Sequence, residues 1–172
     1  MSEASGCGSG GADAPAPLRL SPLTGAEPPD AFGAMLAAAH FGDAAAPREL
    51  LEQTRVFLEA NPRADPWGSY LAWEGEEAVG ICAFKFAPDA EGAVEIAYGT
   101  FPAHRGRGVA RGIIRALVAL AGGAGARTVF ACTLPEENAS NGALRREGFG
   151  FAGEVTDPED GVVWRWERAA GE

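Results

Sequence analysis

The stretch Arg105-Gly106-Arg107-Gly108-Val109-Ala110 combines guanidinium groups, glycines and the start of an apolar periodic run. Val109, Ile113, Leu117 and Leu120 recur at helical spacing, so a helix begins where the loop ends. The first turn of a helix leaves backbone N–H groups unpaired and carries the positive end of the dipole, and glycines let an anion come close to both. Arg105, Arg107 and Arg111 gather positive charge there in a chain whose formal net charge is -10. For an isolated glycine pair, a structural turn with solvated arginines would be the better explanation. The setting favours a site, because an apolar strand, Val94 to Phe101, runs into the loop and the helix runs out of it. A Walker lysine followed by Ser or Thr is missing, and no acidic residue follows at the distance used to hold a ribose. Nucleoside triphosphate and dinucleotide readings weaken accordingly.

The elements that must position this loop follow from periodicity. Leu18-Arg19-Leu20 reads as a short strand stopped by Ser21-Pro22. Phe32, Met35, Leu36 and Ala39 predict one helix, capped by Asp30. Leu50, Leu51, Thr54, Phe57 and Leu58 predict a second, ended by Asn61-Pro62. From Ser69 the period becomes two, giving a hairpin across Glu74 to Glu77 and then the strand Val94 to Phe101. After the loop come the helix, terminated by Gly122-Gly123 and Gly125, and a strand from Thr128 to Thr133. A short helix from about Ala139 to Glu147 precedes a final hairpin of Phe149 to Thr156 with Val162 to Glu167. Residues 1–17 hold almost no large apolar side chain and read as a mobile tail, leaving one domain over 18–172.

Composition narrows the function classes. A sequence pI near 4.7 argues against broad binding to nucleic acid, which draws on clustered Lys and Arg. Cys7, Cys82 and Cys132 are odd in number, far apart and without a C-x-x-C pair, so neither a disulfide framework nor a metal site is expected. The absence of a long apolar run and of a secretory signal predicts a cytoplasmic protein with no membrane partner.

Two ordered blocks resemble the GCN5-related N-acetyltransferases, including the ribosomal-protein alanine acetyltransferase branch. Arg105-x-x-Gly108-x-Ala110 is similar to that family's acetyl-CoA signature, preceded by Glu95-Ile96-Ala97-Tyr98-Gly99. The second block is Leu134-Pro135-Glu136-Glu137-Asn138-Ala139-Ser140-Asn141, continuing to Leu144-Arg145-Arg146-Glu147-Gly148-Phe149. The resemblance implies an α+β fold with a central mixed, mostly antiparallel sheet, splayed after the fourth strand, and helices on both faces. Acetyl-CoA would be the co-substrate, its pyrophosphate on Arg105, Gly106, Arg107, Gly108, Val109, Ala110 and Arg111. Main-chain groups around Phe101 would hold its pantetheine arm. The family's asparagine falls on Glu137, so Asn138 either takes over its contact or the contact is lost. The tyrosine with which many relatives protonate the leaving thiolate falls on Leu144.

Direct acyl transfer needs a base for the amine and a proton donor for the thiolate. Glu95 is the base candidate, acting through water, because it interrupts the apolar run Val94, Ile96, Ala97. A strand glutamate on the wetter face explains it as well. Ser140 is the nearest hydroxyl for the thiolate, although a helix N-cap is the commoner use of such a serine. His104 reads as a solvated loop residue and His40 as the close of a helix. Trp67, Tyr70, Trp73, Trp164 and Trp166 could line an acceptor pocket or simply pack, and Asp157, Glu159 and Asp160 form a solvated turn. The expected partner is an amine acceptor, a small molecule or a protein. Oligomeric state, a homodimer included, stays open. The competing readings are a cofactor-binding module with little or no turnover and a purely structural acidic domain.

Overall fold

The computed structural model describes residues 18–24, 52, 56, 58–59, 64–158 and 160–171. The expected tail over 1–17 and the first of the two early helices lie outside the described residues. Of the second helix, residues 52, 56, 58 and 59 are described, and they are helical. The strands are β1 (Leu18–Leu23), β2 (Ser69–Glu74), β3 (Glu77–Phe84), β4 (Ala93–Thr100), β5 (Thr128–Thr133), β6 (Gly150–Asp157) and β7 (Gly161–Ala169). Between them lie a 3-10 turn at Pro102–His104 and the helices α1 (Val109–Gly123) and α2 (Ala139–Arg146). The seven strands form one sheet in the order β1-β2-β3-β4-β5-β7-β6, antiparallel throughout except where β4 meets β5. The fold is therefore α+β with a mixed, mostly antiparallel sheet, as the sequence implies.

Burial alternates along the central strands and selects one face for the main core. Val94 and Ile96 of β4, Val129 and Ala131 of β5 and Cys82 and Phe84 of β3 join Ile113, Ile114 and Leu117 of α1. These side chains point to one side because strand residues two apart share a face. Gly80 allows a close approach: a Cβ there would lie 2.5 Å from the Gly99 carbonyl oxygen and 2.8 Å from Ile113 Cδ1. Two boundaries differ from expectation. β1 continues through Ser21-Pro22 to Leu23, which an edge strand tolerates because proline's missing N–H faces no ladder. α1 retains Gly122 and Gly123, and Gly122 is needed there, since a Cβ would lie 2.5 Å from the Ala170 carbonyl oxygen.

The feature that positions a site is the junction of β4 and β5. They pair only at Ala93↔Thr128, Val94↔Val129 and Glu95↔Phe130. Beyond that point β4 stays with β3, from Phe84↔Ile96 to Gly80↔Thr100, while β5 follows β7, from Phe130↔Glu167 to Thr133↔Trp164. The sheet splays after Glu95 and leaves a gap that opens toward the loop before α1. Among the described residues, no helix is long and apolar enough to cross a membrane.

Candidate active site

The loop follows the open end of β4. Phe101 is buried, its amide donates to the Val79 carbonyl and its own carbonyl accepts from His104 N–H. Gly106 and Gly108 hold φ of 76° and 84°, left-handed values that glycine adopts without a Cβ penalty. Gly108 is the residue before α1, no side chain caps the helix, and its first turn carries no acidic residue. The first amides of α1, on Val109, Ala110 and Arg111, are thus of the kind an anion satisfies. A Cβ placed on Gly106 or Gly108 would meet no protein atom within 4 Å, so the surface over both is open to a ligand. These residues fit a pyrophosphate.

The arginines divide among different tasks. Arg105 is exposed and makes no ion pair with a described residue. Arg107 donates to His104 Nδ1 at 3.0 Å and to Glu74 Oε2 at 3.1 Å, tying the loop to the β2–β3 hairpin. Arg111 donates to the buried Glu147 at 2.8 Å, joined by Arg115, and so binds α1 to the end of α2. His104 is buried, which corrects the expectation of a solvated residue. The 3-10 turn brings its ring against Arg107, and the nitrogen facing a guanidinium must be the acceptor. Its other nitrogen lies 3.5 Å from Glu77.

Within the gap, strand alternation decides which backbone groups are exposed to it. Phe101 N–H bonds to β3, as does the Glu95 carbonyl, which accepts from Lys85 N–H at 2.9 Å. Odd-numbered residues of β4 therefore face β3; the Ile96 N–H is taken up by the last β4–β5 pairing, and the Ile96 C=O with the N–H and C=O groups of Tyr98 and Thr100 face the gap. These, rather than the amide of Phe101, are the main-chain groups presented to a ligand there. Across the gap, Tyr98 Oη lies 2.6 Å from Ser140 Oγ. Ser140 is inside the first turn of α2 and is not its cap. Asn138 is, accepting from Asn141 N–H at 3.1 Å while its own amide donates to the Glu136 carbonyl at 3.2 Å. The Asn138 side chain is thus engaged in shaping the turn. Leu144 is fully buried in the core.

A phosphate-ready helix start beside a sheet that splays between its fourth and fifth strands narrows the family. The sequence of residues 35–151, more than half of the chain, matches the acetyltransferase (GNAT) family. The chain belongs to that family. No curated protein matches it. Among solved structures it is similar to a chimera of the Vibrio cholerae spermidine N-acetyltransferase SpeG and hSSAT, with a TM-score of 0.71 at 12% identity, covering 90% of this chain and 96% of that one. It is also similar to the ribosomal L7/L12 alpha-N-protein acetyltransferase RimL in complex with coenzyme A, with a TM-score of 0.71 at 20% identity, covering 90% and 96%. The acetyltransferase from Salmonella typhimurium that modifies the N-terminal serine of L7/L12 gives a TM-score of 0.71 at 20% identity over 88% and 94%. At such identities these structures establish the fold.

The remaining candidate residues fall into two groups. Glu95 lies on the sheet face opposite Val94, with its side chain only 13% exposed and Lys85 Nζ 2.7 Å from Oε1. Burial works against the Lys85 ammonium, but the Glu95 carboxylate outweighs it and raises the lysine's pKa. Cys132 shares that face. Burial first, then the Glu95 carboxylate, pushes its thiol up to about 11, so it is un-ionised at neutral pH. The second group is a pocket of about 380 Å³ lined by Glu137, Arg145, Phe149, Phe151, Trp164 and Trp166. The Arg145 guanidinium binds Glu137 through two hydrogen bonds of 2.9 and 2.6 Å and lies over the Trp166 ring. Trp67 and Tyr70 instead pack against Phe84, and Trp73 donates to Ser21. Tyr98, His104 and Glu74 carry no weight in the sequence reading. Only the strand parity of Tyr98 signals its place.

Proposed function

We propose that this enzyme binds acetyl-CoA with the pyrophosphate on the loop Arg105 to Ala110 and the pantetheine arm in the gap, and transfers the acetyl group directly to a primary amine. The acceptor is a small molecule or a protein N-terminus or lysine. The observation that carries this reading is the adjacency of the two halves: the strands part immediately before an uncapped helix start whose glycines leave the surface open. A thioester drawn into the gap meets the main chain of Ile96, Tyr98 and Thr100 on one side and Ser140 on the other.

In this scheme the amine nitrogen attacks the acetyl carbonyl carbon, and the carbon–sulfur bond breaks with its electron pair going to sulfur. Glu95 is the acceptor for the proton shed by nitrogen, through water, and it stands on the opposite sheet face from Ser140. The two candidates therefore address the gap from opposite sides, which suits a donor and an acceptor entering from different faces. The named acceptors of the structural neighbours, spermidine and a protein N-terminus, are both amines, and this supports the substrate class. A melting shift at millimolar acetyl-CoA, followed by thiol release across an amine panel, tests the proposal. No shift sinks it, and a shift without thiol release leaves a binding module.

A further inference from the structure

Ser140 is the sole hydroxyl in α2, and its use depends on where its proton points. A serine O–H rotates freely unless a neighbour fixes it. The neighbour here is Tyr98, a residue that rises from the splayed part of β4 and crosses the gap to place its phenol oxygen 2.6 Å from Ser140 Oγ. Between a phenol and an alkanol, the phenol is the stronger acid and the alkanol the better acceptor. The pair therefore settles with Tyr98 O–H donating and Ser140 Oγ accepting. That leaves the serine's own proton free to turn toward the gap.

Resting on the function proposed above, we infer that Tyr98 is a positioning residue, orienting the Ser140 hydroxyl so that it donates a hydrogen bond to the sulfur of the departing thiolate. Both protons remain on their oxygens. The new carbon–nitrogen bond forms, the carbon–sulfur bond breaks, sulfur keeps the electron pair, and the amine's proton passes through water to Glu95. The two hydroxyls act as a short donor chain in which each bond strengthens the next, aimed in advance at the atom where negative charge develops. Tyr98 is suited to the task because it stays protonated. Burial raises its pKa, and this outweighs the opposite effect of the Ser140 hydrogen bond. Its main chain also faces the gap, so one residue contributes both backbone and side chain to the same wall.

The test compares CoA with desulfo-CoA, which lacks the sulfur, at a pH where the free thiol of CoA is ionised, and needs no knowledge of the acceptor. The parent is expected to hold CoA about tenfold or more tightly than desulfo-CoA, the scale of a hydrogen bond to a charged group. Tyr98→Phe should reduce that ratio toward the value of Ser140→Ala while leaving desulfo-CoA affinity unchanged. The double variant should match Ser140→Ala alone, because the tyrosine works through the serine. A ratio in Tyr98→Phe equal to the parent's, or an effect that adds in full to Ser140→Ala, overturns the inference. A parallel loss of desulfo-CoA affinity assigns Tyr98 to packing and also overturns it. If the parent binds neither nucleotide, the cofactor reading itself fails, a result distinct from all of these.

Discussion

The two ends of the gap are built on different principles. At the loop end the proposed site is backbone: two glycines with positive φ, an uncapped helix start and the amides that follow, all within residues 106–111. At the proposed reaction end it is side chains: Tyr98 and Ser140, separated by 42 positions, and Glu95 with Lys85 on the other face. A backbone site is written in neighbouring letters, because conformation and residue type are coupled locally. A side-chain site depends on which strands pair and where they part. The first should be sensitive to backbone freedom and tolerant of surface charge, and the second the reverse.

The largest expected effect tests the reaction end. Glu95→Gln should lower turnover by roughly a hundredfold or more while leaving acetyl-CoA affinity unchanged, the usual scale for losing a general base. The rate should recover partly as pH rises, because more of the acceptor is then already deprotonated. Lys85→Met separates chemistry from the ion pair: the carboxylate can still accept a proton, so steady-state turnover should fall much less. Equal losses in the two variants would reduce Glu95 to a structural partner of Lys85. At the loop end, Gly108→Val forces a β-branched residue to φ near 84°, at a cost of about 1–2 kcal/mol in stability. Cofactor affinity should fall further, by about tenfold or more, since the open surface over Gly108 is where the proposal places the phosphates. Gly108→Asn, which tolerates that φ better, separates the two losses when melting and titration are compared.

The same contrast explains what the sequence made legible. The strand from Thr128 to Thr133 carries the boundaries expected, and the β2–β3 hairpin and both described helices lie within a residue or two of expectation, because period and glycine punctuation are local signals. The loop was readable for the same reason. His104 was not, because its burial depends on a turn that rolls it against the Glu74 to Glu77 hairpin, 27 residues or more away in the chain. Ser140 was legible as a hydroxyl but not as a partner, because cap and first-turn positions differ by two residues and only Asn138 makes the capping bond. Tyr98 was hidden in a strand pattern where any aromatic residue reads as packing.

Arg107 sharpens the comparison at smaller scale, because it is a side chain within the backbone-built end. As a brace, it holds the loop to Glu74, so Arg107→Gln and Glu74→Gln should each weaken acetyl-CoA binding about threefold, the worth of one exposed ion pair. If Arg107 instead touches phosphate directly, only Arg107→Gln weakens binding. Glu74→Gln would then strengthen it by freeing the guanidinium and removing a negative charge. Titration of both variants at two ionic strengths distinguishes these outcomes.

The smallest effect is expected at Glu137, where the family's asparagine would stand. Its carboxylate turns to Arg145, both side chains are exposed, and their hydrogen bonds lower its pKa from the usual carboxylate value. A depressed carboxylate contributes its stability above the unfolded pKa and loses it as pH falls through the folded one, so any contribution fades only in acid. Exposed pairs contribute little in any case. Glu137→Gln should therefore change melting temperature at pH 7 within error and leave acetyl-CoA affinity within about twofold. The effect that remains should appear in the aromatic pocket, where freeing Arg145 from Glu137 lets it move off the Trp166 ring and alters tryptophan fluorescence. A tenfold loss of cofactor affinity would show instead that Glu137 reaches into the gap when ligand is bound. Side chains on both flanks of α2 would then belong to one site, and the division between a backbone-built end and a side-chain-built end would have to include the turn that Asn138 caps.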